Sequence, residues 1–287
     1  MNEGNTPLRS LKEWRSYGQG YLKDAKIEDA DTDAWLLMEY VCKMNRNYYY
    51  FHMDDFMEEK AALRYQELIH KRAAHIPVQY LTGEAWFYGE SYLVDEHVLI
   101  PRQDTEVLIE ESLKRLKPGM HILDLCTGSG CILLTLIRNA SVTGAGSDIS
   151  PEALAVAEKN QKRQGLKDCS WIESNLFEKI DGTFDMITSN PPYIPSGEIP
   201  GLMEEVRDHE PVLALDGHED GLYFYRKIID QSRRHLKSQA WLCMEIGFDQ
   251  PDALTTLLTE AGYTNIQIIK DLAALPRVAV AQWISKC

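Results

Sequence analysis

The chain has 287 residues and a mass of 32.8 kDa, long for one compact domain and ample for two. With 44% hydrophobic and 26% charged residues, it matches neither a disordered chain, nor a fibre, nor a small disulfide scaffold. Its 30 Lys and Arg against 44 Asp and Glu leave a formal charge of −14, where a protein that grips phosphates shows a basic face. No stretch approaches the ~18 uninterrupted apolar residues of a membrane span. Residues 1–10 are polar, with Glu3 and Pro7, and hold no apolar core of a signal peptide. The expectation is a cytoplasmic protein without a membrane partner.

The six cysteines (Cys42, Cys126, Cys131, Cys169, Cys243 and Cys287) form no C-x-x-C pair, and four lie in apolar or strand-like surroundings. Reduced thiols are expected, with no disulfide framework and no zinc site. The eight histidines are scattered, so no metal site is expected. Charge is unevenly spread. Residues 1–80 hold 11 basic and 13 acidic side chains, which leaves 19 basic and 31 acidic for residues 81–287. A polyanion would be repelled by that second part; a neutral or basic protein surface would not.

Residues 8–80 read as a small helical bundle. Asp33-Ala34-Trp35-Leu36-Leu37-Met38-Glu39-Tyr40-Val41 repeats apolar residues at helical spacing, and residues 60–74 do so with Leu63, Leu68 and Ile69. Pro7 and Pro77 stand at the edges of this region. The run Tyr48-Tyr49-Tyr50-Phe51, after Asn45-Arg46-Asn47, is read as aromatic packing at a helix junction ahead of the alternative, a contact with a partner. In residues 81–100, Gly83, Gly89, Trp86, Phe87, Tyr88 and Tyr92 predict two strands of a hairpin.

From His121 the texture alternates. Strands are predicted over 121–126, 141–148, 169–175, 184–190, 240–246, 264–269 and 278–283, with helices over 131–139, 151–164, 221–236 and 252–261. Such alternation predicts a mostly parallel, doubly wound α/β sheet. The connection between the last two strands is too short for a parallel crossover, so they should run antiparallel. Seven strands with a reversed last strand describe a Rossmann-like methyltransferase sheet.

Two motifs carry the chemistry. Ile122-Leu123-Asp124-Leu125-Cys126-Thr127-Gly128-Ser129-Gly130-Cys131-Ile132 is a strand running through a small-residue turn into a helix. Glycines let backbone approach a ligand there, and a helix N-terminus offers free N–H groups. A dinucleotide turn would want a third glycine where Leu133 stands, so a cofactor without pyrophosphate fits better. At the end of the next strand, Asp148 is placed to accept from both ribose hydroxyls, leaving the helix cap to Ser150. After the third strand, Asn175 and Leu176 suit the edge and face of an adenine.

The second motif is Asn190-Pro191-Pro192-Tyr193, directly after the apolar strand of residues 184–189. The lone pair of a planar amide or aryl amine is delocalised, so its nitrogen is a poor nucleophile. The Asn190 side-chain oxygen and the Pro191 carbonyl can accept its two N–H hydrogens, holding it in line with an electrophilic methyl and stabilising developing charge. Pro191 and Pro192 fix the backbone, and Tyr193 offers a flat face for stacking. Asn-Pro is common turn chemistry, but its place three strands after a cofactor-type turn favours the functional reading.

With these residues in hand, the chain resembles the glutamine methyltransferases that modify class I peptide chain release factors. Further matching stretches are Pro77-Val78-Gln79-Tyr80-Leu81-Thr82-Gly83, Leu99-Ile100-Pro101-Arg102-Gln103-Asp104-Thr105-Glu106, Glu210-Pro211, Ala214-Leu215, Gly221-Leu222, Tyr225-Arg226, Glu245-Ile246-Gly247 and Asp271-Leu272. The resemblance implies a helical substrate-recognition domain over residues 1–80, a hairpin linker over 81–100 and an S-adenosyl-methionine-dependent domain over 101–287. Carried over, Cys126, Thr127, Gly128, Ser129, Gly130, Asp148, Asn175, Leu176 and Asn190 would hold the cofactor. Asn190, Pro191, Pro192 and Tyr193 would hold the amide of the glutamine in a Gly-Gly-Gln motif, with Asn190, Pro191 and Tyr193 in catalysis. The partner is then a release factor, met by a monomer, with no nucleic acid involved.

Three residues depart from the family pattern: Cys126 for a usual Gly, Gln103 for Pro, and Asn175 for Asp. They bear on cofactor affinity. A glutamine methyltransferase of a ribosomal protein shares the same chemistry, and an adenine amino-methyltransferase of DNA shares the tetrapeptide but would need its base flipped out. A silent module keeping only the fold would need neither motif.

Overall fold

The computed structural model describes residues 8–285; Glu3, Pro7 and Cys287, and what the sequence leads one to expect of them, lie outside. The helical part comprises α1 (Leu11–Asp24), α2 (Ala30–Cys42), α3 (Arg46–His52), α4 (Glu59–Ala73) and the short α5 (Val78–Thr82). Then come the hairpin strands β1 (Glu84–Phe87) and β2 (Glu90–Leu93), followed by α6 (Glu106–Leu113). The remainder runs β3 (His121–Leu125), α7 (Cys131–Ala140), β4 (Thr143–Asp148), α8 (Pro151–Gln164), β5 (Cys169–Glu173) and β6 (Phe184–Ser189). After β6 follow α9 (Glu204–His209), α10 (Tyr223–Ser232), β7 (Leu236–Glu245), α11 (Pro251–Glu260), β8 (Thr264–Lys270) and β9 (Pro276–Gln282).

By contacts the chain divides into two compact units. One contains residues up to Gly83 together with Met203–His209; the other contains Glu84–Leu202 and the rest from Glu210. The hairpin therefore belongs to the second unit, and its strands pair antiparallel as expected.

Within the helical unit, Ser10 and Glu13 form a capping box at the start of α1, and Asn45 accepts the Tyr48 N–H at 2.9 Å to start α3. The core gathers Trp14, Leu22, Trp35, Tyr49, Tyr65 and Leu68, each burial of this size contributing about 1.5–3 kcal/mol. Of the aromatic run only Tyr49 packs inside, edge-on against Trp35; Tyr48, Tyr50 and Phe51 are exposed. A short amphipathic helix can bury only one face, so the packing reading holds for one residue of the four. Arg72 lies buried and pairs with Asp33 and Glu205, each at 2.6 Å. Through Glu205 it anchors the segment Met203–His209 to the helices.

In the second unit a seven-stranded sheet has the order β5-β4-β3-β6-β7-β9-β8, with β9 antiparallel to both neighbours. Side chains alternate across it. Leu123, Leu125, Ile187, Leu242, Met244 and Ala279 join the cluster containing Tyr225, Ile228, Leu254 and Leu258 of α10 and α11. Ile122, Met186, Cys243, Val278 and Val280 join the cluster containing Leu108, Ile109 and the apolar run of α7. Both faces are thus covered, as near-continuous apolar strands require.

Two predicted elements shift. The helix expected over 221–236 ends at Ser232, because Phe184 N–H captures the His235 carbonyl at 2.7 Å and Leu236 pairs with Phe184. That pairing starts β7 four residues before the predicted strand. Helices α6 and α9 were not anticipated.

Candidate active site

The chain enters the sheet at β3, builds outward to β4 and β5, then returns to place β6 on the other side of β3. Ligands in such sheets bind outside the carboxyl ends of the strands at this reversal. Leu125 pairs with Ser147 on one side and Ser189 on the other. Cys126, Asp148 and Asn190 therefore leave three neighbouring strand ends together.

Asp124, fully buried, fixes the turn after β3. Its carboxylate accepts from Thr127 Oγ1 at 2.5 Å and Thr188 Oγ1 at 2.7 Å. Burial nevertheless pushes this carboxyl up to about 7, with the Asp148 charge adding to the rise. The turn closes with Thr127 N–H on the Ser147 carbonyl and Gly130 N–H on the Thr127 carbonyl. Gly130 takes a φ of +77°, and a Cβ there would stand 2.7 Å from the Trp171 ring, so both conformation and space demand glycine. Asn160 Nδ2 holds the Ser129 carbonyl at 2.9 Å. Thr127, Ser129 and Gly130 thus shape the turn, while Cys126 and Gly128 face the cleft. Cys126 has a φ of +55°, the left-handed region that its usual glycine would take freely. Burial and the nearby Asp148 carboxylate push its thiol up, keeping it neutral.

The cleft opens to solvent at its mouth. Asp148, Asn175, Leu176, Asn190 and Pro192 line it. Asp148 accepts from Gly128 N–H at 2.9 Å and Ser150 N–H at 3.0 Å, one per oxygen. Each oxygen keeps a lone pair, so a ribose diol still fits. Burial raises the Asp148 carboxyl, and these backbone N–H groups oppose the rise. Ser150 caps α8 by accepting Ala153 N–H at 3.0 Å, so Asp148 is free of that task. Asn175 Nδ2 donates to Glu178 at 2.8 Å, which leaves its carbonyl oxygen as an acceptor for an adenine amine. The donor set therefore suits an adenosine-bearing cofactor. His97, Val98, Leu99 and Phe224 also line the cleft. The sequence reading missed them, although Leu99 begins a stretch singled out for its family pattern.

Beyond the cleft, Pro191 is buried and Tyr193 packs against the core of α10 and α11. The Tyr193 hydroxyl donates to Glu245 Oε1 at 3.4 Å, while Glu245 Oε2 is buried and has no hydrogen-bond partner among the described residues. Burial pushes the Glu245 carboxyl up to about 7; Thr105, Arg277 and Tyr193 oppose the rise and Asp104 adds to it. Arg277 in turn bridges Asp104 and Asp271, each at 3.0 Å. Asp104 follows Gln103 in a short turn that forms without the usual proline. Among the described residues no group of three or more His, Cys, Asp and Glu could hold a metal ion. No helix among them is long and apolar enough to cross a membrane.

A doubly covered sheet with a reversed last strand, a glycine turn beside a strand-end acid, and an Asn-Pro-Pro-Tyr turn one strand away define an S-adenosyl-methionine-dependent methyltransferase of the Rossmann-like class. The profile of the PrmC N-terminal domain matches residues 13–83, and that of a methyltransferase domain matches residues 116–267. A release factor glutamine methyltransferase of Clostridium acetobutylicum is 38% identical, over 91% of this chain and 94% of that one. Another, of Geobacter sulfurreducens, is 36% identical over 94% and 95%. A methyltransferase of known structure from Pyrococcus furiosus shares the fold, with 15% identity and a TM-score of 0.53 over 78% of this chain and 100% of that one. The chain belongs to the release factor glutamine methyltransferase family.

Proposed function

We propose that this enzyme, a protein-glutamine N-methyltransferase, modifies the glutamine of the Gly-Gly-Gln motif in class I release factors through the turn Asn190 to Tyr193. The observation that carries this reading is the pairing of Leu125 with Ser189, because it sets Asn190 beside the cofactor turn. S-adenosyl-methionine, when bound, supplies the electrophilic methyl. Asp148 holds its ribose, the Asn175 oxygen its adenine amine, and Leu176 the adenine face. Cys126 and Gly128 bring backbone close to it.

Asn190 Oδ1 and the Pro191 carbonyl each accept one N–H of the glutamine amide. That fixes the plane of the amide, turns its nitrogen lone pair toward the methyl, and stabilises the positive charge that develops on nitrogen. Pro191 and Pro192 keep the carbonyl aimed, and Tyr193 stacks on the amide. No side chain need remove a proton beforehand, since the nitrogen sheds one readily once alkylated.

The helical residues 1–80 recognise the release factor, the hairpin of 81–100 links them to the catalytic domain of 101–287, and the enzyme works as a cytoplasmic monomer. The acidic balance of residues 81–287 supports a protein over a nucleic-acid partner. The test is a tritiated methyl-transfer assay offering release factor, ribosomal protein and duplex DNA side by side. Label in the release factor, lost when its Gly-Gly-Gln glutamine is replaced, is the expected result. Label in DNA or ribosomal protein alone overturns the reading.

A further inference from the structure

The peptide that follows Tyr193 is held by a side chain distant in sequence. Gln250 Nε2 donates to the Tyr193 carbonyl at 3.1 Å and to the Gly221 carbonyl at 3.3 Å. Its Oε1 accepts the Gly247 N–H at 2.9 Å. Gln250 is only 6% exposed, so these three bonds are made without competition from bulk water. A carboxamide supplies two donors and an acceptor at once; a carboxylate of the same length supplies no donor, and an asparagine falls one methylene short.

The packing around this clamp leaves no slack. A Cβ on Gly221, whose φ is +70°, would stand 2.4 Å from the Tyr193 carbonyl oxygen, and one on Gly217 would stand 2.8 Å from Tyr193 Cα. Beyond Tyr193 the backbone continues in register, with Ile194 N–H on the Leu215 carbonyl at 3.0 Å and Gly217 N–H on the Ile194 carbonyl at 2.8 Å. The hydroxyl end of Tyr193 meets Glu245. The residue is thus held at its carbonyl and at its ring tip.

Two prolines precede Tyr193, and their rings already fix φ. The remaining freedom of the turn lies in proline ψ and in the orientation of the Tyr193 peptide. Pinning the Tyr193 carbonyl removes that freedom. We propose that Gln250 is a positioning residue for methyl transfer: by holding the Tyr193 carbonyl it sets where Asn190 and Pro191 present their oxygens to the substrate amide. This rests on the assignment of Asn190 and Pro191 to that amide. A misplacement of about 1 Å at such a contact costs on the order of 100-fold in rate.

The test uses the full chain with release factor as substrate. Gln250→Met fills the same space without hydrogen bonds, and Gln250→Glu keeps the acceptor for Gly247 while losing both donors. Rates are normalised to the fraction of protein that binds S-adenosyl-methionine by calorimetry, so that partial unfolding does not register as lost catalysis. The expected result is a kcat lowered about 10- to 100-fold in both variants, with KM for release factor and cofactor Kd each within about threefold of the parent. A packing role alone lowers the melting temperature and the binding fraction but leaves the normalised kcat unchanged, and that outcome overturns the proposal. The unsubstituted enzyme is assayed alongside: if it labels no release factor, the amide assignment is what fails, not the role of Gln250.

Discussion

Thr188, on the strand that leads into Asn190, donates its hydroxyl to Asp124 at 2.7 Å, on the strand that leads into Cys126. One buried carboxylate thereby ties the strand that leads into Asn190 to the turn after β3, whose Thr127 it also holds. Replacing Thr188 by valine keeps the volume and removes the donor. Loss of one hydrogen bond to a buried charged group is expected to cost about 1–3 kcal/mol. Urea denaturation should show the midpoint falling with an unchanged slope. A midpoint equal to the parent's would mean that Thr127 alone satisfies Asp124.

Glu245 makes a pH prediction with a definite sign. Its carboxyl is pushed up to about 7 in the fold, against an ordinary value of 4.5. Between those two pH values the folded state binds more protons than the unfolded one, so this group's contribution to stability falls as pH rises. It is most favourable below about 4.5 and levels off above about 7. In Glu245→Gln that dependence disappears. The stability of the parent minus that of the variant should therefore fall steadily from pH 5 to pH 7. A pH-independent difference would show that Glu245 is already ionised across this range.

Cys126 occupies the left-handed region with a side chain. That conformation costs a non-glycine residue roughly 1–2 kcal/mol, and glycine's extra chain entropy returns about 0.5–1. Cys126→Gly should therefore raise stability by about 0.5–1 kcal/mol and leave cofactor affinity no weaker. Calorimetric titration and thermal melting check both points. A weakened Kd would mean that the thiol itself contacts the cofactor.

The parts of the site that were legible in the sequence are those written locally. An apolar strand ending in Cys126-Thr127-Gly128-Ser129-Gly130, and Ser150-Pro151 opening a helix closed by Gly165, each carry their own start and stop signals. The tetrapeptide was legible because its chemistry sits in adjacent residues. What escaped depends on partners far apart in the chain. Arg72, which no local pattern singles out, is buried because Asp33 and Glu205 converge on it. Nothing near Glu245 or Gln250 signals that both face Tyr193. The early start of β7 follows from pairing with Phe184, which periodicity cannot register.

Asp148 tests the cofactor assignment. Its carboxylate is already oriented by Gly128 and Ser150, so a ribose would meet it without its first reorganising. Asp148→Ala should weaken S-adenosyl-methionine binding by about 1–3 kcal/mol. Because the residue ends a strand at the cleft, the melting temperature should change little. Unchanged affinity by calorimetry would remove Asp148 from the ribose site.

Asn190 separates binding from chemistry. It lies at the cleft, one residue past a strand end locked to β3, while its neighbours Pro191 and Pro192 are buried. If its oxygen aligns the amide and stabilises charge as the new bond forms, the contact is worth most in the transition state. Asn190→Ala should then cut kcat by about 10²–10³, the usual loss for one preorganised electrostatic contact. Affinity for the intact release factor should change far less, because one small polar side chain at a reacting centre adds little to a protein interface whose energy resides in a few large anchors. The measurement is a pair: single-turnover methyl transfer at saturating cofactor, and release factor binding in the presence of a non-reactive cofactor analogue. A large loss of binding with an unchanged single-turnover rate would make Asn190 a recognition residue. A variant that transfers at the parent rate would move the chemistry elsewhere in the turn.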